Sequence, residues 1–318
     1  MKIGILNECF LNEKYLERLK SLGEVVIFEN TQTEDDAIER LKGIDVAIVD
    51  GFICPPTAKV LESTNVLKLI VLPHTGYFMV DKEAAKKRGI VVANAPGFSK
   101  QAVAELVIGL MFAVNRKIPL MDKHMRENPF DSDPSNTYQQ NTYWGFDIKG
   151  KTMGIFGLGR IGSTVATLAL GLGMKVIANN RSQKVMEGVE MLSKEEVLKR
   201  ADIISINVTS GAETENFISK KELDLMKSSA ILINVDQAKQ VNTEDLYDAL
   251  KNKKIGGAGL DQVAGLTKDH PILKLENIVF TPHAGSSTNE SFRENLPELV
   301  VSAIEDFVKG SPKNLVIE

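Results

Sequence analysis

Cysteine is nearly absent from this 318-residue sequence; only Cys9 and Cys54 occur. Without metal-type spacing, they make neither a disulfide framework nor a zinc site, and they fit a reducing compartment. An excess of one charge is also lacking. Lys and Arg total 38 against 42 for Asp and Glu, a net charge of −4. That leaves no electrostatic footprint for nucleic acid or an anionic membrane. No apolar run is long enough to cross a bilayer. The opening residues, Met1-Lys2-Ile3-Gly4-Ile5-Leu6, lack a signal-peptide layout and read as a first strand. These absences lead to the expectation of a soluble cytoplasmic protein that binds neither nucleic acid nor membrane. No repeat period or low-complexity tract breaks the chain, and its length allows two domains with ample core.

What is present is most informative between Thr152 and Arg181. Thr152–Phe156 is a short apolar run, the right length for a buried parallel strand. Gly157-Leu158-Gly159-Arg160-Ile161-Gly162 follows as a full G-x-G-x-x-G. An apolar helix then runs to about Leu172, and a second strand covers Lys175–Ala178. In such a unit Gly157 permits the tight turn. Gly159 lets a pyrophosphate approach the backbone, and Gly162 lets helix pack on strand. The helix N-terminus adds unpaired N–H groups and a positive dipole end. The pattern therefore points to dinucleotide binding, with Arg160 and Ile161 beside the glycines; the alternative is a strand–helix turn that binds nothing.

Strands alternate with helices along the rest of the chain. Lys2–Leu6, Val25–Phe28, Val46–Val49, Leu69–Leu72 and Val91–Ala93 read as strands. Glu13–Leu22, Glu34–Leu41, Thr57–Glu62 and Lys82–Arg88 read as helices, several stopped by glycine. This rhythm means a parallel sheet covered on both faces. Asn94-Ala95-Pro96-Gly97 marks a crossover, and Ala102–Arg116 is an almost wholly apolar helix, hence buried. The polar segment Glu127–Tyr143 reads as an exposed loop or arm. Lys194–Arg200, Lys220–Met226 and Thr243–Asn252 continue as helices. Ile203–Asn207, Ile231–Asn234, Ile255–Leu260 and Ile278–Thr281 continue as strands. Ser287–Lys309 reads as one long helix that returns to the first domain.

The chain resembles the D-isomer-specific 2-hydroxyacid dehydrogenase family over nearly its whole length. The landmarks are Arg88-Gly89-Ile90-Val91-Val92 with Asn94-Ala95-Pro96-Gly97, Val103-Ala104-Glu105 and Gly150-Lys151-Thr152 leading into Gly157–Gly162. Asn234-Val235, Gly259-Leu260-Asp261, His270-Pro271 and Thr281-Pro282-His283-Ala284-Gly285 follow in order. The resemblance implies two Rossmann-like, doubly wound parallel-sheet domains. The substrate domain would be discontinuous, residues 1–96 and 287–318, and the dinucleotide-binding domain would span residues 97–286. It further implies a homodimer formed around the Ala102–Arg116 helix, and hydride transfer between NAD(H) or NADP(H) and a 2-oxo acid. Val208, Thr214, Val235, Asp261, His283 and Gly285 would join the glycine turn as cofactor contacts.

Departures from the family pattern are specific. After the second strand, Asn180 stands where an NAD-preferring site places a ribose-binding carboxylate. Nothing there repels a 2′-phosphate, and Arg181, Ser182 and Lys184 can bind one. NADP(H) is therefore preferred over NAD(H). The alternative leaves Arg181 in solvent and Asn180 on the ribose of NAD. The family's catalytic His matches His283. Its substrate-gripping Arg is replaced by Gln237, Asp236 replaces a small residue, and Ala238 and Lys239 replace glycines. The Glu that orients the His falls on Leu266. Asp269 lies nearby at the wrong spacing, and His270 reads as structural. Losing a buried charge-assisted contact removes about 2–5 kcal/mol, and each ~1.36 kcal/mol is tenfold in rate.

In the substrate-side turn His74-Thr75-Gly76-Tyr77, Gly76 keeps the family glycine, and His74 either contacts substrate or packs the loop. His124 reads as solvated. Tyr143 and Trp144 read as packing residues or part of a lid. Two functional readings follow. The first is an NAD(P)-dependent oxidoreductase acting on CH–OH, with a small carbonyl, 2-hydroxy acid or 2-oxo acid substrate and altered specificity. The second is a weak or inactive dinucleotide-binding dimer that senses a metabolite or a redox cofactor. No metal site is expected.

Overall fold

Local signals start or stop several elements. The computed structural model describes residues 1–7, 9–128, 143–182, 184–262 and 266–317. In chain order the elements are β1 (Lys2–Ile5), α1 (Glu13–Leu22), β2 (Glu24–Ile27), α2 (Glu34–Arg40), β3 (Val46–Ile48), α3 (Ala58–Ser63), β4 (Leu69–Val71), α4 (Lys82–Arg88) and β5 (Val91–Ala93). Then come α5 (Lys100–Asn115), α6 (Ile118–Glu127), β6 (Thr152–Phe156), α7 (Arg160–Gly171), β7 (Lys175–Asn179), β8 (Val189–Met191), α8 (Lys194–Arg200) and β9 (Ile203–Ile206). The last are α9 (Lys220–Leu223), β10 (Ile231–Asn234), α10 (Thr243–Lys251), β11 (Gly257–Leu260), β12 (Ile278–Phe280), α11 (Leu296–Val308) and β13 (Leu315–Ile317). Thr33 with Asp36 and Ser193 with Glu196 form capping boxes that open α2 and α8. Gly89 closes α4 in the left-handed region.

The chain divides into two compact units, Met1–Ser99 with Ser287–Glu318, and Lys100–Ser286. The first holds a six-stranded sheet ordered β13-β5-β4-β3-β1-β2, parallel except for β13. The second holds a seven-stranded, wholly parallel sheet ordered β12-β11-β10-β9-β6-β7-β8. Both are doubly wound α/β sheets of Rossmann type. In the second, β6 and β9 are neighbours at the point where the strand order reverses. The inner strands β3, β4, β9, β10 and β11 are buried along their whole length rather than alternating, as burial on both faces requires. Among the described residues no helix is long and apolar enough to cross a membrane.

Several elements differ from the sequence reading. The C-terminal helix does not start at Ser287. Thr288 Oγ1 accepts the Ser291 N–H, residues Ser291–Asn295 wind as a π-helix, and α11 follows. Pro297 explains this, because it has no N–H for the Arg293 carbonyl and the helix widens just before it. The Lys220–Met226 helix ends at Leu223, since Leu225 and Met226 donate to carbonyls three residues back. The strands β8 and β13 have only three residues each at sheet edges and carry little periodic signal. The expected arm at Glu127–Tyr143 lies almost wholly outside the described residues.

Candidate active site

The glycine turn is set by steric limits. Gly157 takes φ +88, and a Cβ there would lie 2.5 Å from the Asn207 carbonyl oxygen beyond β9. A Cβ on Gly162 would lie 1.9 Å from the Gly157 oxygen. Gly159 has open space in the direction a Cβ would take, and it caps α7. Close packing below and an open approach above, at a helix N-terminus, are what a pyrophosphate requires. The residues present therefore fit a dinucleotide.

Asn180 fastens this turn. Its Oδ1 accepts the Leu158 N–H at 2.9 Å, and its Nδ2 donates to Ser182 O at 2.9 Å. Lys184 donates to the Leu158 carbonyl. Arg181 is 92% exposed and lies 3.3 Å from Glu213. Arg181, Ser182 and Lys184 thus gather beside the glycine turn. Arg160 is exposed and Ile161 half-buried at the start of α7. Thr214 closes a short 3-10 turn by accepting the Gly211 N–H. Val208 is half-buried, and Val235 packs in the core.

The loop after β10 is pinned by its first residue. Buried Asn234 accepts the Asp236 N–H at 3.1 Å and donates to the Gln237 carbonyl at 3.0 Å. Gln237 and Lys239 are exposed. Asp236 is half-buried. Its Oδ2 accepts from Gln240 Nε2 at 2.9 Å and Ser210 Oγ at 3.1 Å. Burial pushes its carboxyl pKa up, opposed by these hydrogen bonds, the Gln237 N–H and the charge of His283. Gln240 is buried, and its Oε1 has no hydrogen-bond partner among the described residues. Sequence reasoning gave no role to this polar cluster; its one signal was an acidic residue where a small one is expected.

His283 stands in a turn built by Asp261. The buried Asp261 carboxylate accepts the Ala284 N–H at 2.9 Å, the Gly285 N–H at 2.8 Å and the Thr281 hydroxyl. Its carbonyl accepts the His283 N–H at 2.6 Å. These bonds satisfy a buried charge and hold His283 at φ +56 with its side chain exposed. Leu266 packs against the core together with Leu260 and Ile272, so no carboxylate occupies that position. Asp269 is exposed. His270 is structural: Nδ1 accepts the Ile272 N–H and Nε2 lies 2.9 Å from Glu244.

His74, Thr75 and Gly76 belong to the first unit. His74 is buried, with Nδ1 2.7 Å from the Gly76 carbonyl and Nε2 accepting the Gly51 N–H at 3.2 Å. Both ring nitrogens are therefore engaged in pinning two loops. Thr75 Oγ1 donates to the Ala95 carbonyl at 3.2 Å. The Tyr143 ring lies tilted against that of His124, with centroids 5.9 Å apart, and Trp144 is 60% exposed.

A parallel sheet with a glycine turn at its switch point, and a histidine held in a carboxylate-built turn, define a dinucleotide-dependent oxidoreductase. Residues 108–285 match the family model described as D-isomer specific 2-hydroxyacid dehydrogenase, NAD binding domain. A glyoxylate reductase of Thermococcus litoralis is 40% identical over 282 residues, 84% of this chain and 83% of the relative. A glycerate dehydrogenase of Methylorubrum extorquens is 37% identical over 293 residues, 91% of this chain and 90% of the relative. An acyclic imino acid reductase, solved in complex with NADPH and D-Arg, superposes with TM-score 0.87 at 34% identity, covering 100% of both chains. The chain belongs to the D-isomer-specific 2-hydroxyacid dehydrogenase family. It is an oxidoreductase of the NAD-dependent 2-hydroxyacid dehydrogenase type.

Proposed function

We propose that this protein transfers hydride between a nicotinamide dinucleotide, NADP(H) in preference to NAD(H), and a small 2-oxo acid-type substrate not gripped by an arginine. The observation that carries this reading is the pairing of an intact His283 turn with Gln237 at the position of the family's Arg. When bound, the dinucleotide supplies or accepts the hydride. Gly157, Gly159 and Gly162 hold its pyrophosphate, with Val208, Thr214, Val235, Asp261 and Gly285 around it. His283 hands a proton to the oxygen as it becomes an alcohol. Gln237 donates an amide hydrogen bond to the substrate without neutralising its carboxylate.

Preference for NADP(H) is supported by Arg181, Ser182 and Lys184 beside the turn, by the neutral Asn180, and by the relative that binds NADPH. That relative is an imino acid reductase, which brings imines into the range of substrates beside carbonyls. A cytoplasmic homodimer is the expected form, formed through the half-buried Leu106, Ile108 and Phe112 on α5.

The deciding experiment follows NADPH and NADH oxidation over 2-oxo acids, neutral aldehydes and ketones, and imines, with His283→Asn as control. Turnover abolished by the substitution supports the reading. Oxo acid, aldehyde or ketone turnover that survives it overturns the role of His283, and failure to bind either dinucleotide in calorimetry overturns the whole reading. Tight cofactor binding without turnover of any substrate favours the sensor.

A further inference from the structure

We propose that Asp236 selects a substrate whose reacting carbon is double-bonded to a protonated nitrogen, a 2-imino acid in its iminium form, over the matching 2-oxo acid. This rests on the hydride-transfer reading above.

The carboxylate is built into the site. Asn234 Oδ1 holds the Asp236 N–H, while Gln240 Nε2 and Ser210 Oγ hold its Oδ2. Gln240 is itself 1% exposed and also donates to the Val208 carbonyl at 2.9 Å. A buried amide that leaves its own Oε1 unpartnered while supporting a carboxylate is a costly arrangement. The hydrogen bonds to the carboxylate come from a hydroxyl, an amide and a backbone N–H, all neutral, so none cancels its charge. The Asn234 carbonyl accepts the Asp261 N–H at 3.0 Å and the Asp261 carbonyl accepts the His283 N–H at 2.6 Å, so the Asp236 loop and the His283 turn lie side by side at one end of the sheet. Asp236 therefore sits beside both groups of the candidate site, Gln237 in sequence and the His283 turn across neighbouring loops.

Charge then decides the substrate. Reducing a C=O group develops negative charge on oxygen, which a cation at position 237 would stabilise and a carboxylate at position 236 opposes. Reducing C=NH2⁺ runs the other way. Hydride adds to carbon, a C–H bond forms, the C=N π pair moves to nitrogen, and the positive charge disappears. The dinucleotide is oxidised, and no proton is consumed in that step; the amine afterwards takes one from water. Loss of both the Arg and the Glu that keeps a histidine protonated is then tolerable, because neither is needed to receive a developing alkoxide. Asp236 contributes by keeping the imine protonated and bound, since an adjacent carboxylate favours a cation. Its effect falls mainly on KM.

The test compares one 2-oxo acid in ammonium-containing and ammonium-free buffer, with NADPH, and separates amino acid from hydroxy acid products by chiral chromatography. The wild-type protein is expected to form amine at least about tenfold faster than alcohol, and Asp236→Asn to cut that ratio about tenfold or more through KM. Asp236→Glu should restore part of it. A second readout needs no turnover. Calorimetry in the presence of NADP⁺ should show the 2-amino acid binding more tightly than the 2-hydroxy acid, with the preference lost in Asp236→Asn. If that variant does not fold, Ser210→Ala, which removes one carboxylate donor but not the charge, should keep the preference. Equal product ratios and equal binding in wild type and variant overturn the inference. Oxo acid turnover that depends on His283, without any amine preference, overturns it while leaving the hydride-transfer reading standing.

Discussion

The Gly285 N–H donates to Asp261 Oδ2 at 2.8 Å, and a Cβ at position 285 would stand 2.9 Å from the same oxygen. Glycine is needed there for close approach, and the carboxylate is needed to hold the His283 turn. Gly285→Ala should therefore displace the turn and lower activity at least about tenfold. Asp261→Asn puts an NH₂ group against backbone donors and should cost about 2–3 kcal/mol of stability. Urea unfolding and steady-state rates check both. A Gly285→Ala variant with normal rates would mean that the turn tolerates the shift.

His74 gives a pH signature. Its nitrogens bond the Gly76 carbonyl and the Gly51 N–H, which fixes a neutral ring with the proton on Nδ1. Burial holds its pKa below the ordinary value. Between that depressed value and the unfolded pKa of about 6.5, the native state binds fewer protons than the unfolded chain. The stability from this group is complete above the unfolded pKa and declines as pH falls toward the folded one. Urea midpoints for wild type should drop on going from neutral to mildly acidic pH. His74→Gln should remove that part of the slope, and parallel slopes would refute the assignment.

Arg18 ties α1 to α11 across the break in the first unit. Its guanidinium donates to Glu298 at 2.7 and 3.1 Å and to Glu305 at 2.9 and 3.0 Å. Glu305 and Glu298 both raise its pKa. The side chains keep 27%, 47% and 23% exposure, so water screens much of the attraction. Arg18→Met should cost about 1–2 kcal/mol, more than a single surface pair because both contacts are bidentate. The loss should shrink in high salt. A salt-independent loss would assign the effect to packing of the arginine stem.

Local requirements made much of this fold readable, and non-local ones hid the rest. The glycine turn declares a strand–turn–helix unit because Gly162 is demanded by the Gly157 carbonyl five residues away and Gly157 by its own positive φ, while Gly159 leaves the approach open. Thr281–Gly285 is a contiguous motif. By contrast, β13 pairs antiparallel with β5, more than two hundred positions earlier in the chain, and three residues carry no periodicity. The π-helix before Pro297 looks like ordinary helix until the missing N–H is traced to its carbonyl. Asp236, Ser210 and Gln240 come together only in three dimensions, on loops beyond β9 and β10. A single acidic residue in a loop reads as solvated until its neighbours are known.

Cofactor choice turns on Arg181. It is paired with Glu213 at 3.3 Å while both side chains are more than four-fifths exposed, so the pair holds little energy and can be exchanged for a phosphate. Lys184 is committed to the Leu158 carbonyl and Asn180 to the Leu158 N–H, which leaves Arg181 as the adaptable cation at the turn. A charged hydrogen bond is worth about 1.5–3 kcal/mol. Arg181→Ala should therefore weaken NADPH roughly 10–100-fold and leave NADH nearly unchanged, measured as dissociation constants by calorimetry. Asn180→Asp keeps the acceptor for Leu158 and adds a charge that repels a 2′-phosphate, so it should shift preference toward NADH. Glu213→Gln removes the competing carboxylate and should tighten NADPH modestly. If Arg181→Ala weakens both dinucleotides equally, this residue does not read the 2′-phosphate, and the preference for NADP(H) falls with it.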